Sequence, residues 1–381
     1  MVAEMKAEER VALITGANTG IGLSLVKRLF ESTEYNALVL TAVLACRNLD
    51  KAKAAREEVL AEFPEAIVEI IQCDTSRPES MTAAAKLVLG KYGRLDWLYL
   101  NAGIMPVEKW GISWDVFMTT DIKHILHVLS TSDGLLKQED WRAGDMQAVF
   151  ATNVFGHYLL AMLLKDLLVK SQGRIIWTSS NAANTKSFKH EDIEHKNGSD
   201  PYGSSKYAVD LLNAALNREL NSKGVYSYTC CPGLVITNVT LGILPWWMWT
   251  YILFPFLLIY RCIEPMYVLH PYNGAEALIY LSGLDLPRTP GVLIDTKARG
   301  KSSPYERPSV ITQVEDEGDL PSEISGPHKD LVYMDPFSKY YSRTSFWGER
   351  YVMCKPYPGT EADGTRLVVE LEKMAKQRKV L

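Results

Sequence analysis

Residues 10–30, RVALITGANTGIGLSLVKRLF, decide the fold. Val11 to Ile14 form an apolar run that suits a buried strand, and Leu23, Val26, Leu29 and Phe30 fall on one helix face. Between them stand Gly16, Gly20 and Gly22. Glycines at a strand-to-helix turn let the backbone approach a pyrophosphate, and the helix N-terminus favours its negative charge. A glycine pattern alone is weak; the strand before it and the helix after it give it weight.

Working outward, VLACRN closes a second strand and places Arg47 where an enzyme using NADH carries an acidic residue for the ribose hydroxyls. A carboxylate would repel a 2′-phosphate and a guanidinium would pair with it, so Arg47 points to NADPH. VEIIQCDTS reads as a third strand with Asp74 just past its end. RLDWLYLNAGIMP reads as a fourth, ending at Asn101, Ala102 and Gly103. GRIIWTSS is another strand, tipped by Ser179 and Ser180. Alternating strands and helices give the α/β class: a single Rossmann-type, doubly wound parallel sheet that binds ligands along the carboxyl ends of its strands.

DPYGSSKYAVDLLNAALNREL reads as a helix with Tyr202 and Lys206 at i and i+4, on one face. A free tyrosine has a pKa of about 10 and is a poor acid near neutrality. A lysine charge beside it is expected to lower that value and suit the pair to proton transfer at a carbonyl or alcohol oxygen. Ser180 could hydrogen-bond the same oxygen.

Taken together, TGxxxGxG at 15–22 (Thr15, Gly16, Asn18, Gly20, Ile21, Gly22), NAG at 101–103, Asn153 in TNVFGHYLL, Ser180, YxxxK at 202–206 and PGLVIT at 232–237 resemble the short-chain dehydrogenase/reductase family. The resemblance covers residues 10 to about 240. It implies that Tyr202 is the acid in the reducing direction, that Lys206 tunes it and holds the nicotinamide ribose, and that Ser180 and Tyr202 contact the substrate carbonyl. Asn153 would support a water-linked proton relay. Pro232, Gly233 and Thr237 would lie near the nicotinamide. Members often pair through the helix carrying YxxxK, so a homodimer is an expectation on that ground alone.

The spacings from Ser180 to Tyr202 and from Asn101 to Asn153 are longer than the family commonly uses. The excess sits in SFKHEDIEHKNGSD and in the segment from VEKWG to QEDW. These insertions, with LACRN, CPG, TLGILP and PYNGAEAL, resemble the 3-ketosteroid reductase branch. That branch implies reduction of the C3 ketone of a sterol to a 3β-hydroxyl, with 17-ketosteroids such as estrone as a second substrate class. It also implies an endoplasmic reticulum membrane location with the catalytic domain facing the cytosol, beside other sterol-synthesis enzymes. A retinal or lipid-aldehyde reductase is the alternative within the family. A non-catalytic NADPH-binding scaffold is the alternative outside it, and the presence of Ser180, Tyr202 and Lys206 together weighs against it.

The net charge of −4 gives no basic footprint for nucleic acid. Six cysteines without a CxxC pair suggest neither a disulfide framework nor a metal site, and no HExxH occurs. LGILPWWMWTYILFPFLLIY, residues 241–260, carries no charge. Twenty helical residues would span about 30 Å, enough for a hydrocarbon core. Full crossing would carry PYNGAEALIYL away from the sheet it is expected to pack on. A membrane-dipping lid is therefore favoured over a span or a soluble pocket wall. Residues 1–282 are read as the reductase domain. Residues 283–381 are read as a mostly irregular C-terminal extension ending in a helix from about Thr365.

Overall fold

The computed structural model describes residues 9–35, 38–112, 136–235, 251, 268–283, 293–294, 338–345 and 347–381. The first half alternates as expected: β1 (Glu9–Thr15), α1 (Gly20–Tyr35), β2 (Val39–Cys46), α2 (Leu49–Glu62), β3 (Ile67–Gln72), α3 (Pro78–Lys91) and β4 (Trp97–Leu100). From Val11 onward β1 is buried on both faces, as a strand covered by helices above and below must be. Asn48 caps α2 by accepting from Lys51 N at 2.9 Å, and Pro78 opens α3 at a position where its missing N–H costs nothing.

β5 (Val107–Ile112) pairs antiparallel with β6 (Leu136–Gln138), so the described ends of the first insertion form a ribbon. A short hairpin of β7 (Arg142–Ala143) and β8 (Met146–Gln147) leads into α4 (Ala148–Leu163). A π-helical turn at Ala151–Phe155 interrupts α4, and α5 (Lys165–Ser171) follows. Then come β9 (Arg174–Thr178), α6 (Pro201–Leu220) and β10 (Tyr226–Cys231). PYNGAEALIYL forms α7 (Pro271–Gly274) and α8 (Glu276–Ser282), whose Ala277, Leu278, Ile279 and Leu281 are buried in the core beside the sheet.

β11 (Leu293–Ile294), β12 (Ser338–Thr344) and β13 (Arg350–Pro356) complete a nine-stranded sheet ordered β11-β13-β12-β10-β9-β4-β1-β2-β3. Every pairing in it is parallel except β12 with β13. Strands β11, β12 and β13 thus belong to the same sheet as the strands before residue 282, beyond the expected domain end. Unpaired N–H and C=O groups on β10 would be costly to bury, and β12 satisfies them. The expected terminal helix is α9 (Glu361–Gln377), four residues earlier than expected at its start and capped by Thr360, which accepts from Asp363 N at 3.1 Å. A buried ion cluster ties the segment down further. Glu276 Oε2 lies 2.7 Å from Arg28 Nη1 on α1 and 2.9 Å from Arg350 Nε on β13.

Among the described residues no single helix is long and apolar enough to cross a membrane. The bent pair α4–α5 passes by length and composition together, yet residues Ala148 to Ala161 are buried in the protein core. The stretch 241–260 lies outside the described residues except for Tyr251.

Helix α9 lies directly on α6. A Cβ on Gly364 would stand 2.3 Å from the Leu211 carbonyl oxygen. Gly364→Ala gains about 1 kcal/mol of helix propensity but forces the helices apart. The net effect should be a loss of about 1–3 kcal/mol, read as a lower urea midpoint at unchanged m-value; an unchanged or raised midpoint would contradict this packing.

Candidate active site

The carboxyl ends of β1, β2, β3, β4, β9 and β10 present the expected residues along one edge of the sheet. The chain order reverses between β1 and β4, which opens the crevice where such sheets take ligands. At the β1–α1 turn Gly16 adopts φ +66° and Gly20 φ +57°. Gly22 admits no side chain: a Cβ there would lie 2.3 Å from Gly16 O. The turn is held to β2 by Gly16 N donating to Ala45 O at 2.9 Å. No acidic residue occupies the first turn of α1, so its amide groups face no competing negative charge from within that turn. Asn18, Gly20 and Ile21 line the same turn. These features fit the pyrophosphate of a nicotinamide dinucleotide.

Thr15 ties β1 to the end of β4 and to helix α4. Its Oγ1 accepts from Asn101 N at 2.9 Å and Ala102 N at 3.0 Å, and it faces His157 Nε2 at 3.0 Å. Asn101 Nδ2 donates back to Thr15 O at 3.2 Å. Arg47 is exposed just past β2 and makes no ion pair with another described residue. Asp74 lies past β3, its Oδ1 accepting from Ser76 N at 3.0 Å and Ser76 Oγ at 2.7 Å. Pro232 and Gly233 follow β10, with Gly233 at φ +77°. Thr237 lies outside the described residues.

The catalytic candidates converge. Lys206 Nζ donates to Thr178 O at 2.8 Å and lies 5.5 Å from the centre of the Tyr202 ring. Ser180 hydrogen-bonds the Tyr202 phenol. Asn153 sits in the π-turn with its side chain fully engaged. Oδ1 accepts from Ile104 N at 2.9 Å, and Nδ2 donates to Ile104 O at 3.0 Å and Ser205 Oγ at 3.0 Å. That side chain clamps the NAG loop to α6. The His157 ring bonds the Asn153 main chain, and burial pulls its pKa down to about 3, so it is neutral.

The expected lowering of the phenol pKa by Lys206 is not what the structure gives. Burial pushes Tyr202 up to about 12, and the Ser180 hydrogen bond offsets only part of that. Lys206 itself falls to about 8, chiefly through burial, with Asp210 opposing the fall. Its ammonium is turned to the Thr178 carbonyl rather than to the phenol oxygen. A phenol held protonated is nevertheless the right form for giving a proton to a ketone oxygen.

The two insertions meet at the start of α6. Asp200 caps the helix, its Oδ1 accepting from Gly203 N at 2.9 Å. Gln138, from the first insertion, donates to Asp200 Oδ1 at 3.0 Å and accepts from Tyr202 N at 3.0 Å. Ser187, from the second, donates to Asp200 Oδ2 at 2.8 Å. Both insertions thus fix the turn that carries Tyr202. Gln138, His157 and Asp210 carry no motif of their own and are not singled out by the sequence; the one available signal is the i+4 spacing of Asp210 from Lys206, which puts the two on one helix face.

The sequence pattern of the short chain dehydrogenase family matches residues 10–246, more than half of the chain, and the protein belongs to that family. It is an oxidoreductase acting on alcohol and carbonyl groups, of a family that binds a nicotinamide cofactor. The 3-keto-steroid reductase/17-beta-hydroxysteroid dehydrogenase 7 of Rattus norvegicus is 46% identical over 275 residues, which cover 71% of this chain and 80% of the relative. The 3-keto-steroid reductase erg27 of Schizosaccharomyces pombe is 32% identical over 60% of this chain and 69% of its own length. Among solved structures, L-sorbose reductase from Gluconobacter frateurii, complexed with NADPH and L-sorbose, superposes with a TM-score of 0.51 at 19% identity. That match covers 73% of this chain and 91% of the other, and it carries the fold alone.

Loss of the Lys206 proton above its value of about 8 removes the charge beside the phenol. The profile of kcat/KM for the dinucleotide, which reports the free enzyme, should therefore fall on the alkaline side near pH 8. His157, neutral down to about pH 3, should contribute no limb between pH 5 and 7. A histidine-like limb that disappears in His157→Asn would contradict the neutral assignment.

Proposed function

We propose that the protein reduces the 3-keto group of a sterol to a 3β-hydroxyl, using NADPH. The observation that carries this reading is the Ser180–Tyr202–Lys206 constellation in a chain 46% identical to a 3-keto-steroid reductase. A nicotinamide dinucleotide held by the β1–α1 turn and Lys206 would supply hydride to the carbonyl carbon. The Tyr202 hydroxyl gives its proton to the carbonyl oxygen as the C=O bond becomes C–OH. The Ser180 hydroxyl donates a hydrogen bond to the same oxygen and aligns it. Lys206 holds the nicotinamide ribose and keeps positive charge near the phenol while phenolate forms. The neutral His157 links the Asn153 main chain to Thr15 and so holds the end of β1 against α4. Arg47 supports the choice of NADPH, since an exposed guanidinium just past β2 would pair with a 2′-phosphate where a carboxylate would repel it.

The uncharged stretch 241–260 supports a lid that dips into a membrane, admitting a substrate dissolved in lipid to a site that faces the cytosol at the endoplasmic reticulum. The parent steroid skeleton also suits 17-ketosteroids as a second class. Dimerisation through α6 is not part of this reading, because α6 is covered by α9 on the described surface.

Purified protein with NADPH and a 4-demethylated 3-ketosterol should yield the 3β-hydroxysterol, and the absence of that product would overturn the reading. Tyr202→Phe should lower kcat by about 10²–10⁴-fold while NADPH affinity stays within a few-fold. Arg47→Ser should weaken NADPH by about tenfold or more and leave NADH nearly unaffected; equal losses for both would remove Arg47 from the cofactor site.

A further inference from the structure

The C-terminal segment brings a second lysine to the catalytic centre. Lys339, second residue of β12, is buried at 4% side-chain exposure. Parallel pairing with β10 sets Lys339 opposite Thr229 and Tyr341 opposite Cys231, at the strand end that borders the site. Its Nζ stands 2.5 Å from Asp210 Oδ2 and donates to the Ser180 main-chain oxygen at 3.1 Å. Asp210 is itself buried, one helical turn beyond Lys206 and two beyond Tyr202 on α6.

This geometry solves a problem the active site sets. The last ladder bond of β9 is Ser179 N to Cys230 O at 2.7 Å, so Ser180 has left the sheet. A serine that must meet a ketone oxygen at the same point as the phenol cannot be left to a free loop, because small misplacements of a reacting group cost orders of magnitude in rate. One ammonium gripping both the Ser180 carbonyl and the helix that carries Tyr202 fixes their separation. Resting on the ketone-reductase reading, we propose that Lys339 is a positioning residue of the active site, clamping Ser180 to α6 through Asp210, so that the C-terminal segment is required for turnover rather than appended to a finished enzyme.

The charges agree with that role. Burial alone would pull Lys339 down, but the Asp210 carboxylate overrides it and holds the ammonium above its ordinary value. Lys339 in turn opposes protonation of Lys206 and favours ionisation of Tyr202. The other titratable groups facing this cluster are Cys230 and Cys231 on β10, Tyr341 on β12 and Asp200 before α6.

Two variants test the proposal, each compared with the native full-length protein on any ketone the native enzyme reduces. Lys339→Met leaves a lone buried carboxylate beside Lys206. The double variant Lys339→Met/Asp210→Leu removes both charges and keeps the fold testable if the single variant does not fold. In each folded variant kcat should fall at least tenfold with NADPH affinity within threefold. The alkaline limb near pH 8 should move upward in Lys339→Met and lie lower in the double variant than in the single one. A folded variant that keeps kcat within twofold overturns the proposal. So does a loss of kcat with the limb unmoved, which would assign the pair to stability alone. Failure of the native protein to reduce a 3-ketosterol would overturn the parent reading instead, since variant-to-native ratios on another ketone would still report on Lys339.

Discussion

Burial of α6 on every side is the constraint from which the rest of the structure follows. The sheet and α4 cover one part of it and α9 covers another, and of its residues only Arg218, Glu219 and part of Tyr202 reach solvent. A helix so enclosed should be apolar all round. This one carries Ser204, Ser205, Lys206, Asp210, Asn213 and Asn217 into the interior. Each polar group taken from water needs a partner. Asn217 exchanges bonds with the Ser227 main chain at 2.9 Å and at 2.5 Å. Ser205 takes the Asn153 amide at 3.0 Å, and Lys206 takes the Thr178 carbonyl at 2.8 Å. Precision in the catalytic group is the by-product of satisfying a buried polar helix.

That constraint explains which parts were legible in the sequence. The β1–α1 turn, the strand ends at Asn101 and Ser180 and the Tyr202–Lys206 face are local patterns, set by residues within a few positions of one another. Each lies where it was expected. The C-terminal strands are different. SKYYSRT has neither an apolar run nor apolar–polar alternation, yet Ser338, Lys339, Ser342, Arg343 and Thr344 are all buried. Its pairing is dictated by the open edge of β10, over a hundred residues earlier, and no local period reports such a vacancy. Its aromatic residues are the one local feature that suits packing, and Tyr340 packs edge-on against Tyr228 with ring centres 6.1 Å apart.

The phenol shows a second limit of pattern reading. Tyr202 and Lys206 share a helix face, as i and i+4 require, and the charge on one was expected to dominate the other. Sequence spacing gives proximity but not burial or competing partners. Here the Thr178 carbonyl holds the ammonium, and the low dielectric of the enclosing protein governs the phenol. The same enclosure that places the group correctly also keeps its proton on.

The position of β12 has a consequence for the order in which the protein is made. The ammonium that grips Ser180 lies 159 residues further along the chain, in a strand, Ser338–Thr344, that can join the sheet only after it has been made. During synthesis the amino-terminal strands, with their short-range parallel pairings, can gather while β10 still presents a bare edge. Closing that edge brings together residues over a hundred positions apart, which is entropically slow. The β1–α1 turn and the strand ends at Asn101 and Ser180 are therefore made well before the lysine that grips Ser180. Capture of the carboxyl-terminal strands is what completes the sheet.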